Sequence, residues 1–210
     1  MEGDYSEQNE ATPVNRMQRL RPDLQKKYFG TSSDAYVTYG VHGEGTCFFH
    51  SFLAATNAKG YLTLPDDEQK KLAYKYRCKL KKTYDKKMHD AYAKKSTSPR
   101  PFDEVVEDFC DKSAWADETM IRHAADMVGA NIIFLDDSSG KIYCGVRGKE
   151  PAKQPTIVVR WVSKAHFEPI MRVVAKNPKK KLIAVRGVFE PFTDESDAKD
   201  IGHLMKQYAA

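Results

Sequence analysis

The sequence predicts an α+β domain. Apolar residues recur at helical spacing from Leu24 to Val128. After Gly129 that spacing gives way to short runs rich in β-branched residues, and the two patterns do not alternate as they would in a doubly wound sheet. With 41% hydrophobic and 30% charged residues, the chain of 210 can bury one sizeable core.

Each element follows from local signals. Residues 1 to 20 hold few large apolar side chains and no period, so they are expected to form a mobile tail. Pro22 and Asp23 open a short helix with Leu24, Tyr28 and Phe29, and Gly30 closes it. A loop leads to the glycine turn Gly43-Glu44-Gly45, and from Cys47 the pattern is helical, with Phe48, Phe52 and Ala55 on one stripe. Pro65-Asp66-Asp67 starts a long basic helix whose inward positions are Leu72, Tyr76 and Leu80, and Ser96 to Pro101 ends it. Phe102, Val105, Val106 and Phe109 mark the next helix. Another runs from Ala116 with Met120, Ile121, Ala124 and Val128 inward, and stops at Gly129. Asn131 to Leu135 and Ile142 to Val146 read as strands joined by a turn, and Thr156 to Val162 is the strongest strand. Phe167 to Val174 and Leu182 to Val188 are weaker ones, and Ile201, Leu204 and Tyr208 suggest a helical C-terminal extension. The domain is thus expected at 21–190, between a tail at 1–20 and an extension at 191–210.

Composition narrows the function. The longest apolar runs fall short of the ~18 residues that a membrane span requires, and the start, MEGDYSEQNEATP, lacks a basic, then apolar, secretory signal. An intracellular protein is expected: cytoplasm or nucleus, or the host cytoplasm for a viral or bacterial source. Cys47, Cys78, Cys110 and Cys144 are widely spaced with no Cys-x-x-Cys pair, which argues against a disulfide framework or a zinc site. Between Lys70 and Lys95 stand eleven Lys or Arg residues against Asp85 and Asp90. Such a face is either solvated or a patch for an acidic partner or nucleic acid.

The chemistry concentrates at Gly43-Glu44-Gly45-Thr46-Cys47-Phe48-Phe49-His50-Ser51-Phe52. A cysteine where a glycine turn feeds a helix meets the positive end of the helix dipole, which favours thiolate. Backbone amides of the turn and first helical residues can converge into an oxyanion hole, and glycine lets another backbone approach closely. The same segment also fits a buried cysteine in an apolar helix. A nucleophile requires a base. His42 and His50 are too close in sequence to face Cys47 across a cleft; His89 and His123 lie within helices, and His203 in the tail. His166 follows the best strand through Ser163-Lys164-Ala165, and Glu168, two residues on, shares its face and is placed to orient the imidazole.

Gly43 to Ser51 resembles the signature of the ovarian-tumour (OTU) family, Gly-Asp-Gly-Asn-Cys-Leu/Phe-Phe/Tyr-Arg/His-Ser/Ala. Trp115-Ala116-Asp117-Glu118, with the helix, Gly129 and strand that follow, is similar to the family's Trp-Gly-x-Glu segment. Val159 to Ile170 is similar to its last motif, an apolar strand and then His-Tyr/Phe-x-x-Val/Ile. The three occur in family order and span about Gly40 to Ile170. The resemblance implies a papain-like α+β fold with helices packed around a small central sheet. It implies a thiol-dependent deubiquitinase that cleaves isopeptide or peptide bonds after the C-terminal glycine of ubiquitin, with no metal and no organic cofactor. Cys47 becomes the nucleophile, His166 the base and Glu168 the orienting acid. The backbone amides of Glu44 and Cys47 form the oxyanion hole, Gly45 shapes the turn, and Trp115 packs the helix on the core. The implied partners are ubiquitin and polyubiquitin chains, with ubiquitin-like modifiers as further candidates. Tyr61–Arg100 and Lys141–Pro155 are candidate docking segments for the body of ubiquitin. Glu44, Thr46 and Glu168 depart from the family's Asp, Asn and Asp/Asn.

Three other readings stay open: an OTU-like module that binds ubiquitin without cutting it, a basic nucleic-acid-binding protein using Lys70–Lys95 and Lys179-Lys180-Lys181, and another cysteine acyl-transfer enzyme.

Overall fold

The computed structural model describes residues 10–30, 34–96, 98–145, 154–177, 182–190 and 195–209. Capping chemistry sets most helix boundaries. α1 (Pro22–Phe29) starts on a proline, which lacks an N–H that the first turn would leave unbonded anyway, and stops at Gly30. α2 (Cys47–Thr56) ends on Asn57 in the left-handed conformation. The single long basic helix expected after Pro65 is instead two, α3 (Asp66–Thr83) and α4 (Lys86–Ala93). Asp85 restarts the chain by accepting the Met88 N–H at 2.8 Å. α5 (Phe102–Asp108) follows Pro101. α6 (Glu118–Val128) begins after Asp117, whose carboxylate accepts the Met120 N–H at 2.8 Å, and ends on left-handed Gly129. α7 (Glu195–Ala209) closes the chain.

The strands are β1 (Met17–Arg19), β2 (Tyr36–Tyr39), β3 (Asn131–Asp136), β4 (Ile142–Gly145), β5 (Thr156–Val162), β6 (His166–Asn177), β7 (Leu182–Arg186) and β8 (Val188–Phe189). They form one mixed sheet in the order β1-β2-β6-β5-β3-β4, with β7 added to β6 and β8 to β5. β3 and β5 run parallel and the other pairs antiparallel.

The pleat divides the core in two. Ile132, Phe134, Ile157, Val159, Phe167 and Met171 face α2 and the helices around it. Ile133, Leu135, Val158, Ile170 and Tyr36 face α1 and α7. Ile201 and Leu204 of α7 are fully buried there, so the C-terminal segment belongs to the domain core and is not an extension of it. The expected mobile tail is also corrected: Met17–Arg19 pairs with β2 and Thr12 is buried, while residues 1–9 lie outside the described residues. Val146 and Lys179-Lys180-Lys181 lie outside them too.

The β5–β6 hairpin carries His166 at the start of β6. Ser163 and Lys164 both have positive φ, 50° and 56°, and Ala165 N–H closes the turn on the Val162 carbonyl at 2.9 Å. Tight hairpin turns of this hand favour glycine, and a side chain there costs about 1 kcal/mol. Lys164→Gly is therefore expected to raise Tm by roughly 2–4 °C for a domain of this size, measured by calorimetry; a lower Tm would show that Lys164 makes an interaction outweighing the strain.

Candidate active site

Cys47 follows a short turn, Glu44–Thr46, in which its N–H donates to the Glu44 carbonyl, and it opens α2. Ser51, one helical turn on, donates its hydroxyl to the Phe167 carbonyl at 2.7 Å and so docks α2 on the first residues of β6. The docking sets the sulfur against the peptide that joins His166 to Phe167. The N–H groups of Phe167, Phe48 and Cys47 itself all favour its thiolate, as does the charge of Arg77. Burial acts the other way and dominates. Cys47 is only 2% exposed, and its thiol is pushed above its usual range. The helix N-terminus alone therefore does not make this sulfur acidic, as the sequence suggested it would.

His166 is half-buried, and its pKa is lowered, chiefly by burial and then by the nearby Arg160 charge. Burial thus favours the uncharged form of each side chain, thiol and imidazole alike. Among the described residues the His166 ring makes no hydrogen bond. By the pleat it shares the α1/α7 face of the sheet with Glu168, whereas Cys47 approaches from the α2 face. The Ser51 hydroxyl on the Phe167 carbonyl nonetheless ties the helix that carries Cys47 to the start of β6, where the half-buried His166 stands.

The other histidines are engaged elsewhere. His50 Nδ1 lies 2.6 Å from the Tyr61 hydroxyl, and burial lowers its pKa to about 3. His42 Nε2 is 3.1 Å from Gln69, His89 is 2.8 Å from the Tyr84 hydroxyl, His123 is 3.1 Å from the Leu80 carbonyl, and His203 lies by the Lys27 carbonyl.

Glu168 is placed differently from the orienting role expected of it. One carboxylate oxygen accepts the Thr12 N–H. The other accepts the Thr12 hydroxyl at 2.9 Å and Arg160 Nη1 at 3.1 Å. Arg160 also bonds Asp137, so a buried Asp137–Arg160–Glu168 chain lies beside His166. Both Glu168 oxygens are thus occupied by Thr12 and Arg160, and neither bonds the imidazole.

Trp115 also departs from expectation. It is 49% exposed, because Thr119, Met120, His123 and Ala124 dock α6 without it. It follows Ala114, whose carbonyl abuts Gly45, and so flanks the Cys47 loop at the surface. Gly45 is required by that contact: a Cβ there would stand 2.5 Å from the Ala114 oxygen and 2.6 Å from the Lys112 oxygen. The close approach is made by the chain itself. Glu44 holds φ 65°, an uncommon conformation for a residue with a side chain.

Three residues that matter here gave little warning in the sequence. Thr12 carried none, and Ser51 stood only as the last position of the signature, with no sign of its bond to Phe167. Arg77 lies on the stripe Gln69, Ala73, Arg77, Leu80, one position off the inward stripe expected from Leu72 and Tyr76.

This architecture matches solved structures of OTU domains. An ovarian-tumour (OTU) domain in complex with ubiquitin aligns with a TM-score of 0.53 at 12% sequence identity, over 94% of this chain and 98% of its own. The OTU domain of OTUD1 aligns with a TM-score of 0.51 at 16% identity, over 70% of this chain and 92% of its own. No protein-family model and no curated protein matches the chain. The chain therefore has an OTU-type α+β fold, as its three motifs suggested.

Proposed function

We propose that this protein is a thiol-dependent deubiquitinase that hydrolyses isopeptide or peptide bonds after the C-terminal glycine of ubiquitin. The observation that carries the reading is the placement of Cys47 at the start of α2, which Ser51 docks on the carbonyl of Phe167, the residue next to His166. The ubiquitin complex of a similar fold supports the choice of substrate.

In this reading the neutral imidazole of His166 turns toward the sulfur and takes the Cys47 proton as the thiol attacks the glycine carbonyl. The oxyanion forms beside the Glu44 and Cys47 amides. The Cys47 N–H is shared with the Glu44 carbonyl in the resting turn and must be released to serve there. Imidazolium then protonates the departing lysine amine, and water, deprotonated by the restored imidazole, hydrolyses the thioester. Trp115 forms an exposed wall beside this loop, available to the substrate tail. Cleavage of a panel of di-ubiquitins tests the reading, with Cys47→Ala as control; cleavage by that control would remove Cys47 from the mechanism.

A pH dependence follows. The base must be unprotonated, and burial with Arg160 lowers the His166 pKa. Activity should fall on the acid side with a midpoint below 6.5, the ordinary imidazole value. An acid-side midpoint above 6.5 in kcat/KM would contradict this assignment of the base.

The depth of Cys47 and its raised thiol pKa favour a second reading, a ubiquitin-binding OTU-like module. Ubiquitin binding without cleavage of any linkage would select it.

A further inference from the structure

Arg77 sits in the middle of α3, and its side chain is completely buried. Its guanidinium donates to four backbone carbonyls. Nε reaches Phe109 at 2.8 Å, Nη2 reaches Asp108, and Nη1 reaches both Ala114 at 2.7 Å and Gly45 at 3.0 Å. The ring of Phe49, two residues after Cys47, lies 5.2 Å away in cation–π range. None of these contacts is a carboxylate. Burying a guanidinium costs several kcal/mol unless its hydrogen bonds are replaced, and an apolar side chain would fill such space without that cost. The stretch from Asp108 to Ala114 is otherwise irregular, and its backbone touches Gly45 where that residue has no Cβ.

We propose that Arg77 is the positioning residue of the nucleophile loop, tying the Gly45 carbonyl to the 108–114 segment so that the turn before Cys47 is held in its reactive shape. Two carbonyl oxygens that would repel each other, those of Gly45 and Ala114, share one Nη1. The planar fork is what allows this; a lysine supplies charge but cannot span four acceptors. The clamp also leaves a buried positive charge near the sulfur, where it favours thiolate. The inference rests on the hydrolase reading only for its effect on turnover. Its effect on the sulfur stands apart from it.

The test measures alkylation of Cys47 by iodoacetamide across pH in wild type, Arg77→Lys and Arg77→Met, alongside di-ubiquitin turnover and Tm. The adduct is located by peptide mass because Cys78 and Cys110 are also partly exposed thiols. Arg77→Met should move the alkylation midpoint upward and Arg77→Lys less so. Both should lower kcat by roughly 10²-fold, as an ångström-scale displacement of a reacting group does, with KM little changed. Folded variants with the wild-type alkylation midpoint and kcat would overturn the proposal, leaving Arg77 a structural residue. Should both variants fail to fold, Gly45→Ala retains Arg77 but wedges the two carbonyls apart. Slower Cys47 alkylation in that variant supports the clamp, and an unchanged rate refutes it. Wild type that cleaves no ubiquitin while the alkylation midpoint still depends on Arg77 would remove the hydrolase reading alone.

Discussion

Cys47→Ala is expected to abolish ubiquitin-chain cleavage, and His166→Gln to lower kcat by about 10³–10⁴-fold, the usual loss when one member of a nucleophile–base unit is removed. Both variants should fold. Cys47 is a small residue at a helix start, and among the described residues His166 makes no hydrogen bond that its replacement would orphan. KM should stay close to wild type, because neither side chain offers much surface to the body of ubiquitin. Combining the two should lose no more than Cys47→Ala alone, since the imidazole has no task without the sulfur. A His166→Gln variant with near wild-type kcat would mean that another group takes the thiol proton. The structure offers no second histidine for that: His50 is held neutral against Tyr61, and His42 is engaged by Gln69. Glu168→Gln separates orientation from structure. Its carboxylate is bound by Thr12 and Arg160, so its loss should lower Tm more than kcat.

Arg160→Met should cost about 3–5 kcal/mol of stability, the range for removing one partner of a buried ion pair. The cation stands between Asp137 and Glu168, and all three side chains are almost completely buried. Without it two carboxylates face each other in a site whose burial already raises both their pKa values. In a domain of this size the drop in Tm is on the order of 10 °C. The sign of the pH effect follows from the direction of those shifts. A buried acid with a raised pKa prefers its neutral form, so the variant's penalty is greatest at neutral pH and shrinks as the medium is acidified. Adding Asp137→Asn and Glu168→Gln should recover part of the loss. Urea unfolding curves at two pH values check the account; a variant as stable as wild type would show that water or a shifted side chain neutralises the chain.

Much of this architecture was legible because local and tertiary signals agree. Pro22 and Gly129 bound helices where capping chemistry says they should, and Thr156–Val162 is apolar and β-branched because it lies mid-sheet, whereas the cap at Asp85 that divides the long basic helix went unread. The failures come from partners distant in sequence. Met17–Arg19 is an exposed edge strand with no apolar pattern of its own, so only its pairing with β2 gives it structure. Tyr36–Tyr39 is short, but its four β-forming residues could have signalled a strand. At the site, Cys47 and His166 were readable as residue types in suitable surroundings. The partners of Glu168 were not, because Thr12 lies far away in a stretch that reads as a tail. Arg77 was hidden among lysines that are mostly exposed. Its position in line with Ala73 and Leu80 on α3 was the one available sign.

The most direct measurement is reaction with a ubiquitin derivative bearing an electrophile at its C-terminus, followed by peptide mass analysis. A single adduct on Cys47 is expected, absent in Cys47→Ala and formed much more slowly in His166→Gln. Wild-type protein that binds the derivative yet forms no adduct, or forms one on Cys78 or Cys110, would contradict the central claim that this sulfur attacks the ubiquitin terminus.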